Sequence, residues 1–170
     1  QLAASNVQVV EAPAHAEAVL EALIDSRERS VVASTAAGQV REVVYVPGRR
    51  WAVNQRTARA VPGLFAANER VILWCENPAG RFAVVLVGAM NVASISLAWT
   101  GEVAPGKQVT RSRYPADVPH LAIPAGGLLG QFNLGSTVVI VAERGLIRWD
   151  GNLATGASIR MGARLGQSGD

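Results

Sequence analysis

The dipeptide Gly135-Ser136 stands at the mouth of an apolar run, Thr137-Val138-Val139-Ile140-Val141. A serine hydroxyl beside a glycine carbonyl is placed to attack that carbonyl when the turn between them is tight, which would shift the chain from amide to ester. The same pair also suits a turn into a buried strand, with Gly135 turning and Ser136 capping. The residues alone leave both readings open. Attack on the carbonyl needs a proton acceptor, and His120, beside Pro119, is a candidate base for Ser136. A solvated loop histidine explains it equally. Arg113 and Tyr114 could grip an anionic substrate or lie in a solvated loop.

Other chemistries fall away by spacing. The two histidines, His15 and His120, have no zinc-ligand spacing to the lone cysteine, Cys75, so no metal site is expected. Gly126-Gly127-Leu128-Leu129-Gly130 lacks the Lys-Ser/Thr that completes a phosphate loop. No Gly-x-Ser-x-Gly elbow occurs. Glu42, Glu69, Glu76 and Glu102 fall in separate segments and read as mostly solvated carboxylates. Cys75, inside the apolar run Val71–Cys75, reads as a buried, inert thiol.

The elements that must position Gly135-Ser136 are mostly short strands. Val7–Val10 is a strand candidate, and Val40, Val43, Val44 and Val46 form a β-rich run stopped by Pro47-Gly48. Val71–Cys75 and Phe82–Val87 flank the turn residues Asn77-Pro78-Ala79-Gly80 and read as a hairpin. Residues 92–99 alternate like a half-buried strand, and Thr137–Ala142 and Leu146–Trp149 are strands around the turn Glu143-Arg144-Gly145. Pro13 and the Ala-, Glu- and Leu-rich run to Ile24 predict one N-terminal helix, with Ala16, Leu20, Leu23 and Ile24 on one face. The expected class is mainly β (α+β): a compact curled sheet or sandwich with one N-terminal helix. Residues 1–170 read as one domain, with 1–28 a helical appendage and 38–149 the core.

Composition supports a globular chain. Apolar residues make up 49% and charged residues 17%, which permits a sizeable core and excludes a disordered class. The formal net charge is +3, and the basic residues are fifteen scattered Arg and one Lys, so a nucleic-acid footprint is not expected. No secretory signal is read in the first residues, and the longest apolar stretch, 82–99, is broken by Gly88, Asn91, Ser94 and Ser96. A soluble, cytoplasmic protein without stable membrane insertion is the expectation.

Several segments together resemble the phosphatidylserine decarboxylases: Val46-Pro47-Gly48, Ala52-Val53-Asn54, Val61-Pro62-Gly63-Leu64-Phe65-Ala66-Ala67-Asn68-Glu69-Arg70-Val71, Val87-Gly88-Ala89 and Leu129-Gly130-Gln131-Phe132-Asn133-Leu134-Gly135-Ser136-Thr137-Val138. The last is similar to that family's self-cleavage motif. The resemblance implies attack of Ser136 on the Gly135 carbonyl, cleavage of the resulting ester by β-elimination, and conversion of Ser136 into a pyruvoyl group at the head of residues 136–170. That carbonyl would engage a substrate amine and take up the electron pair left when CO2 departs. The substrate would be a small amino-bearing molecule held in an apolar pocket, with Met90, Trp99 and Phe132 as walls and Asn91, Ser94 and Asn133 as polar contacts. A homo-oligomer is compatible with the resemblance.

The chain departs from the family in one segment. Where the family carries a histidine-containing stretch before the strand matching 40–46, this chain has Arg29-Ser30-Val31-Val32-Ala33-Ser34-Thr35, with Ser30 and Ala33 at the approximate histidine positions. The aspartate that orients the family's base has no matched counterpart in residues 1–38, where Asp25 is the sole aspartate. Two further readings therefore stand beside the decarboxylase: an uncleaved relative acting as a cofactor-free isomerase or cyclase, and a non-catalytic binding protein.

Overall fold

The computed structural model describes residues 5–10, 18–24, 30–89, 95–132, 137–151, 153–154, 157–160 and 163–168. The described residues are mainly β, in antiparallel sheets. The largest sheet contains β1 (Ser5–Val10), β2 (Ala18–Ile24), β4 (Gly38–Val46), β5 (Arg70–Asn77), β6 (Gly80–Val87), β9 (Thr110–Arg113), β10 (Ala122–Ile123), β12 (Thr137–Ala142) and β14 (Ala157–Ile159). Its order is β10-β4-β5-β6-β12-β2-β1-β14, with β9 also pairing β4. A second sheet has the order β3-β11-β7-β8, built from β3 (Ser30–Ala33), β7 (Ile95–Leu97), β8 (Gly101–Glu102) and β11 (Leu128–Phe132). β13 (Ile147–Trp149) and β15 (Gly166–Ser168) pair with each other.

Period-two patterning builds the core. One face of the large sheet contributes Val71, Leu73 and Cys75 from β5, Phe82, Val84 and Leu86 from β6, and Val138, Ile140 and Ala142 from β12. The second sheet adds Val32, Ile95, Leu97, Leu129 and Phe132 to the same cluster. The β5–β6 hairpin forms as its turn residues predict. Asn77 Oδ1 accepts from the amides of Ala79 (2.9 Å) and Gly80 (3.1 Å), and Gly80 takes φ +151°. In β11 the register shifts between Leu128 and Gly130, a bulge opposite β3. A side chain at Gly130 would collide with the Ser96 carbonyl oxygen on β7, so glycine lets the two strands pair.

The N-terminal helix is not observed. Ala18–Ile24 is strand β2, pairing with β1 on one side and with β12 on the other; residues 14–17 of the expected helix lie outside the described residues. Helical propensity of an Ala/Glu/Leu run is worth only tenths of a kcal/mol per residue. Pairing along the whole of β12 supplies more, because each strand residue gains ladder bonds and apolar neighbours. The described part of the expected appendage is therefore sheet. Within the expected strand 92–99, the described part is Ile95–Leu97 followed by a turn at Ala98–Thr100. β13 pairs β15 and not β12, whose neighbours are β2 and β6.

Two short helices flank Val61-Pro62-Gly63, where the sequence predicts only a turn. They are α1 (Gln55–Ala60), capped by Asn54 Oδ1 accepting from the Thr57 amide at 2.9 Å, and α2 (Leu64–Ala67), entered through Gly63 at φ +67°. No helix among the described residues is long and apolar enough to cross a membrane.

Candidate functional site

The chain passes between the two main sheets along one edge. In the large sheet, Thr137 faces Leu23 on one side and Val87 on the other, and Val87 in turn faces Arg70, which faces Val46. In the second sheet, Phe132 faces both Ser30 and Ile95. Residues 25–29, 88–94 and 133–136 therefore each join the same end of one sheet to the same end of the other. Gly135-Ser136 falls in one of these connections, and Met90, Asn91 and Ser94 in a second.

Gly135, Ser136, Asn133, Met90, Asn91 and Ser94 lie outside the described residues. Their described flanks are Phe132 and Thr137 for the first connection, and Ala89 and Ile95 for the second. Phe132, expected as a pocket wall, is fully buried in the core shared by the two sheets. Trp99 is half-buried against that core, and its indole N–H is buried with no hydrogen-bond partner.

His120 lies elsewhere. It is exposed in a 3-10 turn, Pro119–Leu121, leading into β10, which pairs with Gly38 and Gln39. Gln39 Nε2 also donates to the Val118 carbonyl at 3.0 Å. Gln39 and Val46 are at opposite ends of β4, roughly 23 Å apart at the strand rise. The structure thus sets His120 at the end of the sheet away from the three connections. Arg113 is an exposed strand residue 3.5 Å from Glu42, and Tyr114 is half-buried against the core.

The structure brings to the edge a set of residues that local pattern does not reveal. Asn68 is fully buried; its Nδ2 donates to the carbonyls of Gly88 (2.9 Å) and Trp51 (3.0 Å), and its Oδ1 accepts from the Trp51 amide at 3.1 Å. The Gly88 amide donates to the Glu69 carbonyl at 2.8 Å. The start of the 88–94 connection is thus held on both of Gly88's backbone groups. Gly48 permits the close approach, since a Cβ there would meet the Asn68 carbonyl carbon and the Glu69 nitrogen at 2.5 Å.

Glu69, one of four carboxylates read as mostly solvated, is buried at 8% exposure. It accepts from Tyr45 Oη at 2.9 Å and pairs with Arg50 Nε, while the Gly106 amide donates to Tyr45 Oη at 2.9 Å. Burial pushes the Tyr45 phenol above its usual range, and the Glu69 carboxylate adds to the effect. The bond that Arg50 donates to Glu69 raises the guanidinium above its usual range and keeps it protonated. Arg70 Nη1 donates to the carbonyls of Ala66 (2.6 Å) and Asn68 (3.0 Å), closing the end of α2. The one available signal was the polar run Asn68-Glu69-Arg70 placed directly before an apolar strand.

Thr137 is the remaining feature. It is fully buried, and its Oγ1 has no hydrogen-bond partner. Among the described residues, no group of His, Cys, Asp and Glu could hold a metal ion.

Cys75 is free and buried, as expected, and burial pushes its thiol up to about 12 from an ordinary value of 9.0. A raised value means that the folded chain holds the proton more tightly than the unfolded one. The associated stability is complete below pH 9 and is lost as the pH climbs towards 12. At pH 10.5 the loss is about 2 kcal/mol. Tyr45 acts in the same direction above pH 10, so denaturant titrations of the parent chain and Cys75→Val at pH 8 and 10.5 isolate the thiol. The parent should lose about 2 kcal/mol more than the variant; equal losses would show that the thiol does not contribute.

Residues 29–167 match the family described as phosphatidylserine decarboxylase. The chain is 45% identical over 134 residues to the phosphatidylserine decarboxylase proenzyme of Ectopseudomonas mendocina, covering 78% of this chain and 47% of the relative. It is 46% identical over 133 residues to the proenzyme of Pseudomonas putida, covering 77% of this chain and 46% of the relative. It is 42% identical over 132 residues to that of Marinobacter nauticus, with 77% and 46% covered. The chain spans about half the length of these curated relatives. The matches give no support to a cofactor-free isomerase or cyclase.

Proposed function

The chain belongs to the phosphatidylserine decarboxylase family, and from that premise we propose that it carries the self-cleaving core of a pyruvoyl-dependent decarboxylase. Cleavage between Gly135 and Ser136 separates residues 1–135 from 136–170, with Ser136 as the source of the pyruvoyl group. The relatives are named for phosphatidylserine; the substrate proposed here is of that class, an amine carrying a carboxylate on the adjacent carbon.

The observation that carries the reading is the position of the dipeptide. Its described flanks are Phe132 and Thr137, two buried residues in different sheets; Val87, the ladder partner of Thr137, is followed by Gly88, whose carbonyl Asn68 holds. The flanking residues Phe132, Val87 and Val138 are apolar and buried, and one buried hydroxyl, on Thr137, is unpartnered. A pyruvoyl group at this position supplies an electron sink for loss of CO2. The chain's own residues position the segment: β11 and β12 hold its two ends, and the Asn68–Gly88 bond holds the neighbouring connection.

Intact mass under denaturing conditions tests the proposal. The parent should give two fragments divided between Gly135 and Ser136, the smaller with a blocked N-terminus. Ser136→Ala should give one species at the full 17.8 kDa. A parent found only at full mass would overturn cleavage and favour the second reading, an uncleaved member with a binding role. That reading draws support from β3, where Ser30 faces Phe132 and neither position 30 nor position 33 is histidine.

A further inference from the structure

Residues 103–109 also cross between the two sheets at this edge. The Val103 amide donates to the Ile95 carbonyl at 2.8 Å, and Ile95 faces Phe132, so the segment leaves the second sheet at the end that carries Phe132. It enters the large sheet through β9, where Thr110 faces Tyr45, the neighbour of Val46 in β4. Val103 packs against the core, whereas every residue from Ala104 to Val109 is exposed. Apolar burial therefore fastens the beginning of this strap and not its middle. The middle is held by Gly106, whose amide donates to Tyr45 Oη at 2.9 Å and whose carbonyl lies 3.2 Å from the same oxygen.

Two acceptors compete for the single proton on Tyr45 Oη: the Gly106 carbonyl, and Glu69 Oε1 at 2.9 Å. Glu69 is buried, and its other carboxylate oxygen accepts from Arg50 Nε, so the carboxylate stays in place whatever the strap does. It is also the stronger acceptor. When Gly106 moves away, Tyr45 still donates to Glu69, and the amide and carbonyl of Gly106, already exposed, pass to water. No buried polar group is stranded, so release costs little. Val103 and the β9–β4 ladder hold the two ends independently of this contact. The geometry points to residues 103–109 as a strap that opens and closes over the edge, latched at Gly106 by Tyr45. Its role rests on the decarboxylase reading: the open strap admits substrate to the edge.

Two residues unique in the chain report on the strap. Lys107 is the only lysine, so a lysine-specific protease cuts there alone. Cys75, the only cysteine, is buried towards the other end of β5, where it faces Phe82, and its reaction with a soluble aromatic disulfide follows opening of the core. In the parent, the opening read at Lys107 should be at least about 100-fold more populated than that read at Cys75. In 1 M urea the Lys107 rate should change less than about twofold while the Cys75 rate rises about tenfold. Tyr45→Phe keeps the ring and removes the latch, so it should raise Lys107 cutting about tenfold with the same small urea response. Cutting that tracks Cys75 in urea would overturn the inference, because the strap would then open only with the whole fold. Parental cutting in Tyr45→Phe would overturn it too, because Tyr45 would not be the latch. On the self-cleaved protein, kcat/KM for a short-chain phosphatidylserine should rise in Tyr45→Phe by the factor seen at Lys107, since both need the open strap. Faster cutting with unchanged kcat/KM would overturn the admission of substrate. An inactive parent would overturn the decarboxylase reading and the strap's role in it, with the latch still decided by the rates at Lys107 and Cys75.

Discussion

Ser30→His combined with Ala33→His should raise the rate of Gly135–Ser136 cleavage by about two to four orders of magnitude. The argument begins with the proton on Ser136 Oγ, which must leave before or during attack. A positioned imidazole titrates near neutral pH and accepts such a proton far better than bulk water. This chain has no histidine in β3, and His120 lies at the far end of the large sheet. β3 nevertheless runs antiparallel to β11, with Ser30 opposite Phe132 and Ala33 opposite Leu128. Position 30 therefore lies beside the last described residue before the cleavage segment, and position 33 about 10 Å further along the strand. The paired variant supplies a base at either depth, and the two single variants apportion the gain. The rate of appearance of the 136–170 fragment, measured from pH 5 to 8, checks this. A gain that follows imidazole deprotonation supports a general base, whereas an unchanged rate at every pH would show that β3 does not serve the cleavage segment.

Asn68→Leu should destabilise the chain by about 2–4 kcal/mol and slow cleavage. Leucine shares the branching of asparagine, though it is bulkier, and leaves the Gly88 carbonyl, the Trp51 carbonyl and the Trp51 amide without their side-chain partner. Gly88 is buried, so its carbonyl bears most of the desolvation penalty, about 1–3 kcal/mol. Trp51 is 39% exposed, so water recovers part of the loss there. Asn68→Asp is the informative companion. It keeps an acceptor for the Trp51 amide but turns an oxygen towards two carbonyls, so it should be the more damaging of the two at neutral pH and recover partly as the carboxyl is protonated. Urea titration measures the stability change. Parental stability in Asn68→Leu would show that the Asn68–Gly88 bond contributes nothing net to holding the 88–94 connection.

How much could be read in advance follows from how local each cause is. The β5–β6 hairpin was legible because its turn is made by its own residues: Asn77 accepts from amides two and three residues later, and Gly80 supplies the positive φ. The lone cysteine read as buried because it sits among apolar neighbours in one strand. Ala18–Ile24 misled because its local preference is helical, while its partner β12 lies more than a hundred residues away. Glu69 misled because nothing within its segment announces Tyr45, Arg50 and Gly106 as neighbours. Thr137 read simply as the start of a strand, since an unpartnered hydroxyl is recognised only when its surroundings are known.

The sequence by itself determined the strand-rich class, the family, and the dipeptide Gly135-Ser136 as the one with reactive potential. These follow from period-two patterning, turn chemistry and matched motifs, all readable along the chain. The tertiary structure alone decided that residues 25–29, 88–94 and 133–136 join the same ends of the same two sheets, that Asn68 holds one of those connections at Gly88, and that His120 stands apart from all three. Such placements depend on pairings between residues tens to more than a hundred positions apart. Their register is set by burial of apolar faces across the whole sheet, which no local window of sequence contains.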